Sequence, residues 1–210
     1  MKSVFYVIIR FLFYWPLKLF FRIRVRGREN EPRIEEGSYL ICANHQTLLD
    51  VIFLCIALRR QQPHFMAKAG LFRIPVLRHL IRWLGAFPVA RGRGDVGAIK
   101  HTMKLLESKR SVGMFPQGTR CPGKELRDCQ VKAGAGMIAA RTGTQVLPVY
   151  IDMKNHKWSL FRRVTVVIGK PISAEELAYD KEQPGEYIRM TNEIFERICV
   201  LEDELKCAKS

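Results

Sequence analysis

Acidic residues are scarce over most of this chain. Residues 1–174 hold 10 Asp and Glu against 30 Lys and Arg, whereas residues 175–210 hold 10 against 5, so the first part stands at +20 and the tail at −5. A chain so one-sided meets something anionic: nucleic acid, anionic lipid or a phosphorylated substrate. The six cysteines, at 42, 55, 121, 129, 199 and 207, form no C-x-x-C pair and share no zinc spacing with histidine, which excludes the common zinc modules. Several lie inside apolar runs and read as reduced core residues of an intracellular protein. There is no internal repeat and no linker, which argues for one domain. "GAG" at 134–136 has no Gly-rich turn after a strand in the required form, so it is too weak for a dinucleotide site. "RGRGD" at 91–95 reads as a strand-to-helix turn. Long uncharged runs are also missing. Residues 3–21, "SVFYVIIRFLFYWPLKLFF", are broken by Arg10, Pro16 and Lys18, short of the roughly 18–20 residues of a spanning helix. No small-residue cleavage site follows, so this is not read as a signal peptide.

What is present fits a globular α/β protein. The 210 residues, 48% hydrophobic and 26% charged, are enough for one domain with a sizeable core. In the first segment Tyr6, Arg10, Tyr14, Lys18 and Arg22 recur every four residues, a narrow polar stripe on an otherwise apolar surface. A pair of helices lying in one leaflet and bent near Pro16 suits that pattern. A core helix and a single tilted span are the alternatives. Basic residues at 22, 24, 26 and 28 follow, each worth about 1 kcal/mol on an anionic leaflet. Nucleic acid would explain the charge but not the Phe- and Trp-rich helix.

Further along, strands and helices alternate. Strands are expected at 22–27, 38–44, 64–68, 86–91, 111–116, 145–151 and 162–172. Helices are expected from Thr47 as N-cap, through one or two short helices around Pro75 ending at Gly85, and from Asp95 as N-cap with Ile99, Met103 and Leu106 inward. Two more are expected, a small-residue helix closed by Gly143 and an amphipathic helix over 186–205. In the last, Thr191 is the weak member of the apolar face. The order implies a mainly parallel sheet covered by helices on both faces, preceded by an N-terminal amphipathic, membrane-associated helical motif. The expected division is 1–28 for that motif and 29–210 for the α/β domain.

Ligands in such sheets bind beyond the carboxyl ends of strands, and two polar breaks fall there. The first is "CANHQTLLD" (42–50). If Thr47 caps the helix, Asp50 is its third residue, with its carboxylate turned back toward the preceding loop. It could then accept from one ring nitrogen of His45 and leave the other as a base. The alternative is that Asp50 only completes a capping box. The second break is "PQGTR" (116–120), where Gly118, Thr119 and Arg120 suit a phosphate.

These blocks resemble a known family. "NHQTLLD" is similar to the H-x4-D motif of the glycerolipid acyltransferases, and "FPQGTR" to their F-P-E-G-T-R motif. "GAFPVAR" (85–91), "VLPVYI" (146–151) and the "KAGLFRIP" stretch from Lys68 resemble further blocks in the family's order. The closest group is the 1-acyl-glycerol-3-phosphate acyltransferases. The resemblance implies transfer of an acyl group from acyl-CoA or acyl carrier protein to the 2-hydroxyl of lysophosphatidic acid, giving phosphatidic acid in phospholipid biosynthesis. It implies His45 as base and Asp50 as its orienting partner. Arg91, Gln117, Gly118, Thr119 and Arg120 would hold the acceptor phosphate, and Lys68 either assists them or is a solvated strand-end lysine. No metal and no cofactor is implied beyond the acyl donor. The partners implied are a lysophospholipid, the donor and an anionic membrane surface on the cytoplasmic face, with no nucleic acid. One departure, Gln117 where the motif has Glu, bears on the choice of acceptor. Another acceptor, such as glycerol 3-phosphate or a different lysolipid, is the alternative enzyme. A catalytically silent membrane-surface binding protein is the alternative of another class.

Overall fold

Apolar side chains alternate along the central strands, and the two faces they make set the layers. A computed structural model describes residues 4–89, 96–153 and 161–209. In chain order its elements are α1 (Val4–Phe21), β1 (Arg24–Arg26), β2 (Leu40–Ala43), α2 (Asp50–Ala57), β3 (His64–Lys68), α3 (Pro75–Trp83) and β4 (Phe87–Val89). There follow α4 (Val96–Glu107), β5 (Val112–Met114), α5 (Gly134–Thr142), β6 (Val146–Met153), β7 (Val164–Ile168) and α6 (Glu186–Cys207). The strands form one seven-stranded sheet in the order β1-β7-β6-β2-β5-β3-β4. Neighbours are parallel except β6 with β7, which is the mainly parallel α/β sheet expected from the sequence.

β2 is central and buried along its length. Its Leu40 and Cys42 join the core beneath α4, α5 and α6, while Ile41 and Ala43 join the core beneath α1 and α2, the period-two alternation of a strand covered on both sides. The contact between α5 and α6 is close. A methyl group on Gly136 would stand 2.2 Å from the Tyr187 carbonyl oxygen. Thr191 is fully buried there because its hydroxyl accepts the Gly136 N–H at 2.8 Å and donates to the Tyr187 carbonyl at 2.9 Å. The polar position in the apolar face is thus a helix-to-helix bond.

The N-terminal segment differs from its expectation. It is one continuous helix with Pro16 inside it, not a pair of helices. Contacts to α2 and to Arg59 just after it tie both halves to the body: the Tyr6 hydroxyl donates to the Cys55 carbonyl at 3.3 Å, Tyr14 accepts from Arg59 at 2.8 Å, and Phe21 packs edge-on to Phe53. The tyrosines of the polar stripe therefore face the protein. Phe11, Leu12, Trp15 and Leu19 face outward, each at least 61% exposed. No described helix is long and apolar enough to cross a membrane. The side chain of Arg10, the expected cap Asp95 and the "RGRGD" turn lie outside the described residues.

Candidate active site

β2, β5, β3 and β4 are neighbours running the same way, so their carboxyl ends share one edge of the sheet. The chain leaves β2 there by a side-chain device. Asn44 accepts the Ile151 N–H at 2.7 Å and donates to the Ile151 carbonyl at 3.0 Å. Its amide thus continues the pairing with β6 after the backbone has turned away, and the backbone is free to present His45.

His45 is held on every side. Its Nδ1 lies 2.8 Å from Asp50 Oδ2. Its ring stacks on Phe115, with centroids 3.9 Å apart and planes 11° from parallel. Its backbone N–H donates to Gln117 Oε1 at 2.9 Å, and its carbonyl accepts the Cys121 N–H at 2.9 Å. The side chain keeps 13% exposure while Asp50 has none. Asp50 is buried but well supplied with donors. Oδ2 also accepts the N–H groups of Gln46 and Thr47 at 2.7 and 2.8 Å, and Oδ1 accepts the Thr47 hydroxyl at 2.7 Å. Charge-assisted bonds of this number fix both carboxylate and ring. With Nδ1–H directed at the carboxylate, Nε2 is the free basic nitrogen.

The helix starts later than expected. Leu49, not Thr47, is the N-cap, and Asp50 is the first helical residue. Residues 47–49 form a turn in which Leu49 already has helical dihedrals, and the Thr47 hydroxyl accepts the Leu49 N–H at 3.2 Å. The spacing that lets Thr47 and Asp50 bond survives this shift.

Gln117 is placed otherwise than its motif suggested. It is 1% exposed, and its carbonyl oxygen is engaged by the His45 backbone, so it does not reach a phosphate in solvent or an exposed arginine. The reason lies in the turn. The Gly118 N–H bonds the Phe115 carbonyl, which folds Gln117 inward and sends Gly118, Thr119 and Arg120 out, all exposed. Gly118 has φ of 66°, and the Lys132 side chain lies across it, 2.8 Å from where a Cβ would stand. The positive φ is what favours glycine there, since the Lys132 side chain could move aside. Gln117 Nε2 is buried without a hydrogen-bond partner among the described residues, as is Gln46 Oε1. Beside this turn, burial first and then the neighbouring Cys121 push the Cys129 thiol up to about 11, so it stays protonated. Lys68 is exposed at the end of β3. Arg91 lies outside the described residues.

Three residues essential to this geometry were not singled out in the sequence. Phe115 carries the His45 ring, and Phe65 stands behind it, with centroids 6.3 Å apart and planes within 20°. Gly113 makes room for Phe65, since a methyl there would stand 2.2 Å from the ring. A glycine inside a strand marks close approach of another group, which is the signal that could have found this stack. Beyond Phe115 lies a cavity of about 150 Å³ walled by Met66, Val89, Ile99, Met114 and Ile138, with Lys132 among its lining residues.

Known proteins resemble this chain in sequence and in fold. The sequence model of the acyltransferase family matches residues 22–152. The chain is similar to the 1-acyl-sn-glycerol-3-phosphate acyltransferase of Bacillus subtilis (strain 168), 30% identical over 187 residues, which are 87% of this chain and 89% of that one. It is 33% identical over 146 residues to the protein of the same name from Streptococcus pneumoniae, covering 68% of this chain and 53% of that one. Among solved structures, the crystal structure of the 1-acyl-sn-glycerophosphate (LPA) acyltransferase PlsC from Thermotoga maritima superposes with a TM-score of 0.71 at 26% identity, over 98% of this chain and 84% of that one.

Proposed function

The chain belongs to the acyltransferase family, and from that premise we propose that it acylates the 2-hydroxyl of 1-acyl-glycerol 3-phosphate, giving phosphatidic acid. One observation carries the assignment of roles. An imidazole ring is fixed by a buried carboxylate at 2.8 Å and an aromatic platform at 3.9 Å, and it keeps 13% exposure.

In this reading the acceptor hydroxyl donates to His45 Nε2. As its oxygen attacks the thioester carbonyl, the proton passes to Nε2 and Asp50 stabilises the imidazolium. The tetrahedral intermediate collapses, the C–S bond breaks, and the imidazolium returns the proton to the departing thiolate. The products are an ester and a thiol. No side-chain nucleophile is needed, because the substrate supplies the hydroxyl. A base held in this way contributes about 10²–10⁴-fold.

Arg120 and the Gly118-Thr119 turn, with Lys68 from the end of β3 and with Arg91, hold the acceptor phosphate. The apolar cavity beside Phe115 takes part of an acyl chain, since its lining is almost wholly aliphatic, aromatic or thioether. The donor is a thioester of coenzyme A or of acyl carrier protein. The outward face of α1, with Phe11, Leu12, Trp15 and Leu19 exposed, seats the enzyme in one leaflet of the cytoplasmic membrane surface.

The test is a product assay with purified protein and labelled acyl donors of both kinds. The acceptors are lysophosphatidic acid, glycerol 3-phosphate and lysophosphatidylcholine. Phosphatidic acid as the dominant product is expected. Efficient use of glycerol 3-phosphate in preference to the lysolipid would overturn the acceptor assignment.

A further inference from the structure

Between Asp50 and Asp95 the chain contains no acidic residue, yet residues 51–94 hold 8 Lys and Arg. α3 lies in the middle of this stretch. None of its residues is buried. Leu77, Leu80 and Ile81 are half-buried against the body, and Leu84, next after the helix, packs on the same core as α1 and α2. α3 therefore lies on the sheet face that also carries α1.

The rest of α3 is turned outward. Val76 is 83% exposed, more than any other large apolar residue described, with Ile74 at 49% and Trp83 at 43%. At 100° per residue Val76 and Trp83 fall on one flank, and Arg78 and Arg82 on the opposite side of His79. His79 is 6.2 Å from Trp83, ring to ring, and accepts from Arg78 Nε at 3.1 Å. Among the described residues no acid pairs with Arg73, Arg78 or Arg82. An apolar flank this exposed, a tryptophan at its border and an uncompensated row of arginines are together the signature of an interfacial helix.

We propose that α3 is a second seat on the membrane, selective for anionic lipid. Ile74, Val76 and Trp83 enter the headgroup boundary, and Arg73, Arg78 and Arg82 meet lipid phosphates. The choice of lipid rests on the membrane reading given above for α1, but the residues are separate. The exposed apolar side chains favour a bilayer over an acidic protein. The arginines favour an anionic bilayer over a neutral one, at about fivefold in partitioning per cation.

Two full-length proteins with one tryptophan each decide the matter. One keeps Trp83 (Trp15→Phe, Trp158→Phe) and the other keeps Trp15 (Trp83→Phe, Trp158→Phe). Each is mixed with phosphatidylcholine vesicles, with or without phosphatidylglycerol, whose chains carry bromine as a quencher. Trp83 is expected to be quenched on the phosphatidylglycerol vesicles and far less on the neutral ones. Arg78→Gln with Arg82→Gln is expected to weaken binding to the anionic vesicles about 25-fold. Quenching of Trp15 alone overturns the α3 seat and leaves that of α1. Quenching of Trp83 alone does the reverse. Quenching of neither overturns both. If the double arginine variant binds vesicles like its parent but loses turnover only with acyl carrier protein as donor, the face belongs to a protein partner and the lipid proposal falls.

Discussion

Asp50→Asn separates the two things the carboxylate does. Three donors converge on Oδ2: His45 Nδ1, Gln46 N and Thr47 N, at 2.8, 2.7 and 2.8 Å. An amide group can meet them only through its oxygen, because its NH₂ would oppose two backbone N–H groups that cannot rotate away. The asparagine oxygen therefore takes the Oδ2 place, and its NH₂ faces the Thr47 hydroxyl, which can turn to accept. The His45 tautomer and ring position are kept. What is lost is charge. Bonds to a charged acceptor contribute about 1.5–3 kcal/mol and neutral ones about 0.5–1.5, so three weakened bonds lower stability by about 3 kcal/mol. At a urea slope near 2 kcal/mol per molar that is a midpoint shift of about 1.5 M. The imidazolium formed in the transition state also loses its counter-charge, and turnover should fall by about 10²–10⁴-fold. The two assays are urea unfolding followed by circular dichroism, and single-turnover acyl transfer to lysophosphatidic acid. A variant with turnover within threefold of the parent and an unchanged midpoint would refute both the charge and the positioning role.

Five further variants have expected outcomes. His45→Ala should abolish transfer and lower stability by about 1.5–3 kcal/mol, because Asp50 loses one of its charge-assisted donors; near-normal turnover would remove it as base. Gln117→Glu should keep transfer with acceptor KM within about tenfold, since one oxygen still accepts the His45 N–H. Arg120→Ala should raise acceptor KM further, by about 10–150-fold, through loss of a charge-assisted contact; saturation kinetics showing a dead Gln117→Glu and a normal Arg120→Ala would sink the phosphate assignment. Gly113→Ala, which touches no substrate, should push Phe65 toward Phe115, lowering stability by about 1–3 kcal/mol and reducing kcat; unchanged kcat with a lowered melting temperature would show that the stack does not position His45. Hydrogen bonds from Arg189 first, and then the Asp180 N–H, hold the Glu186 carboxyl down at about 2 against an ordinary 4.5. Its stabilising contribution is complete above the ordinary value and lost as pH falls toward about 2, so Glu186→Gln should flatten the melting-temperature profile across that window.

The parts of this fold legible in the sequence were those fixed by local pattern. "LICA" and "VLPVYI" are apolar runs too short for helices and bounded by polar breaks, and the sheet follows from their alternation with helical segments. Gly143 closes α5 because a left-handed residue is needed there, with φ of 61°. What was not legible depends on partners distant in the chain. The unbroken course of α1 past Pro16 goes with contacts to α2 and to the segment after it, where Cys55 meets Tyr6 and Arg59 meets Tyr14 from 49 and 45 residues away. The inward turn of Gln117 needs the His45 backbone, 72 residues distant. The His45 and Asp50 pairing was readable as a possibility from spacing. The aromatic platform was not, because nothing in "SVGMFP" says which face of β5 meets Phe65.

The Asn44 side chain has one more consequence. It holds the Ile151 amide hydrogen at 2.7 Å, so that hydrogen is protected by a loop and not by a neighbouring strand's backbone. Its exchange with deuterium should follow the lifting of the His45 loop from the sheet, whereas amide hydrogens inside the ladder between β2 and β6 exchange only when the sheet itself opens. The two rates, read from one sample, give the opening frequency of the His45 loop with no substrate present, and they remain readable in variants that no longer turn over.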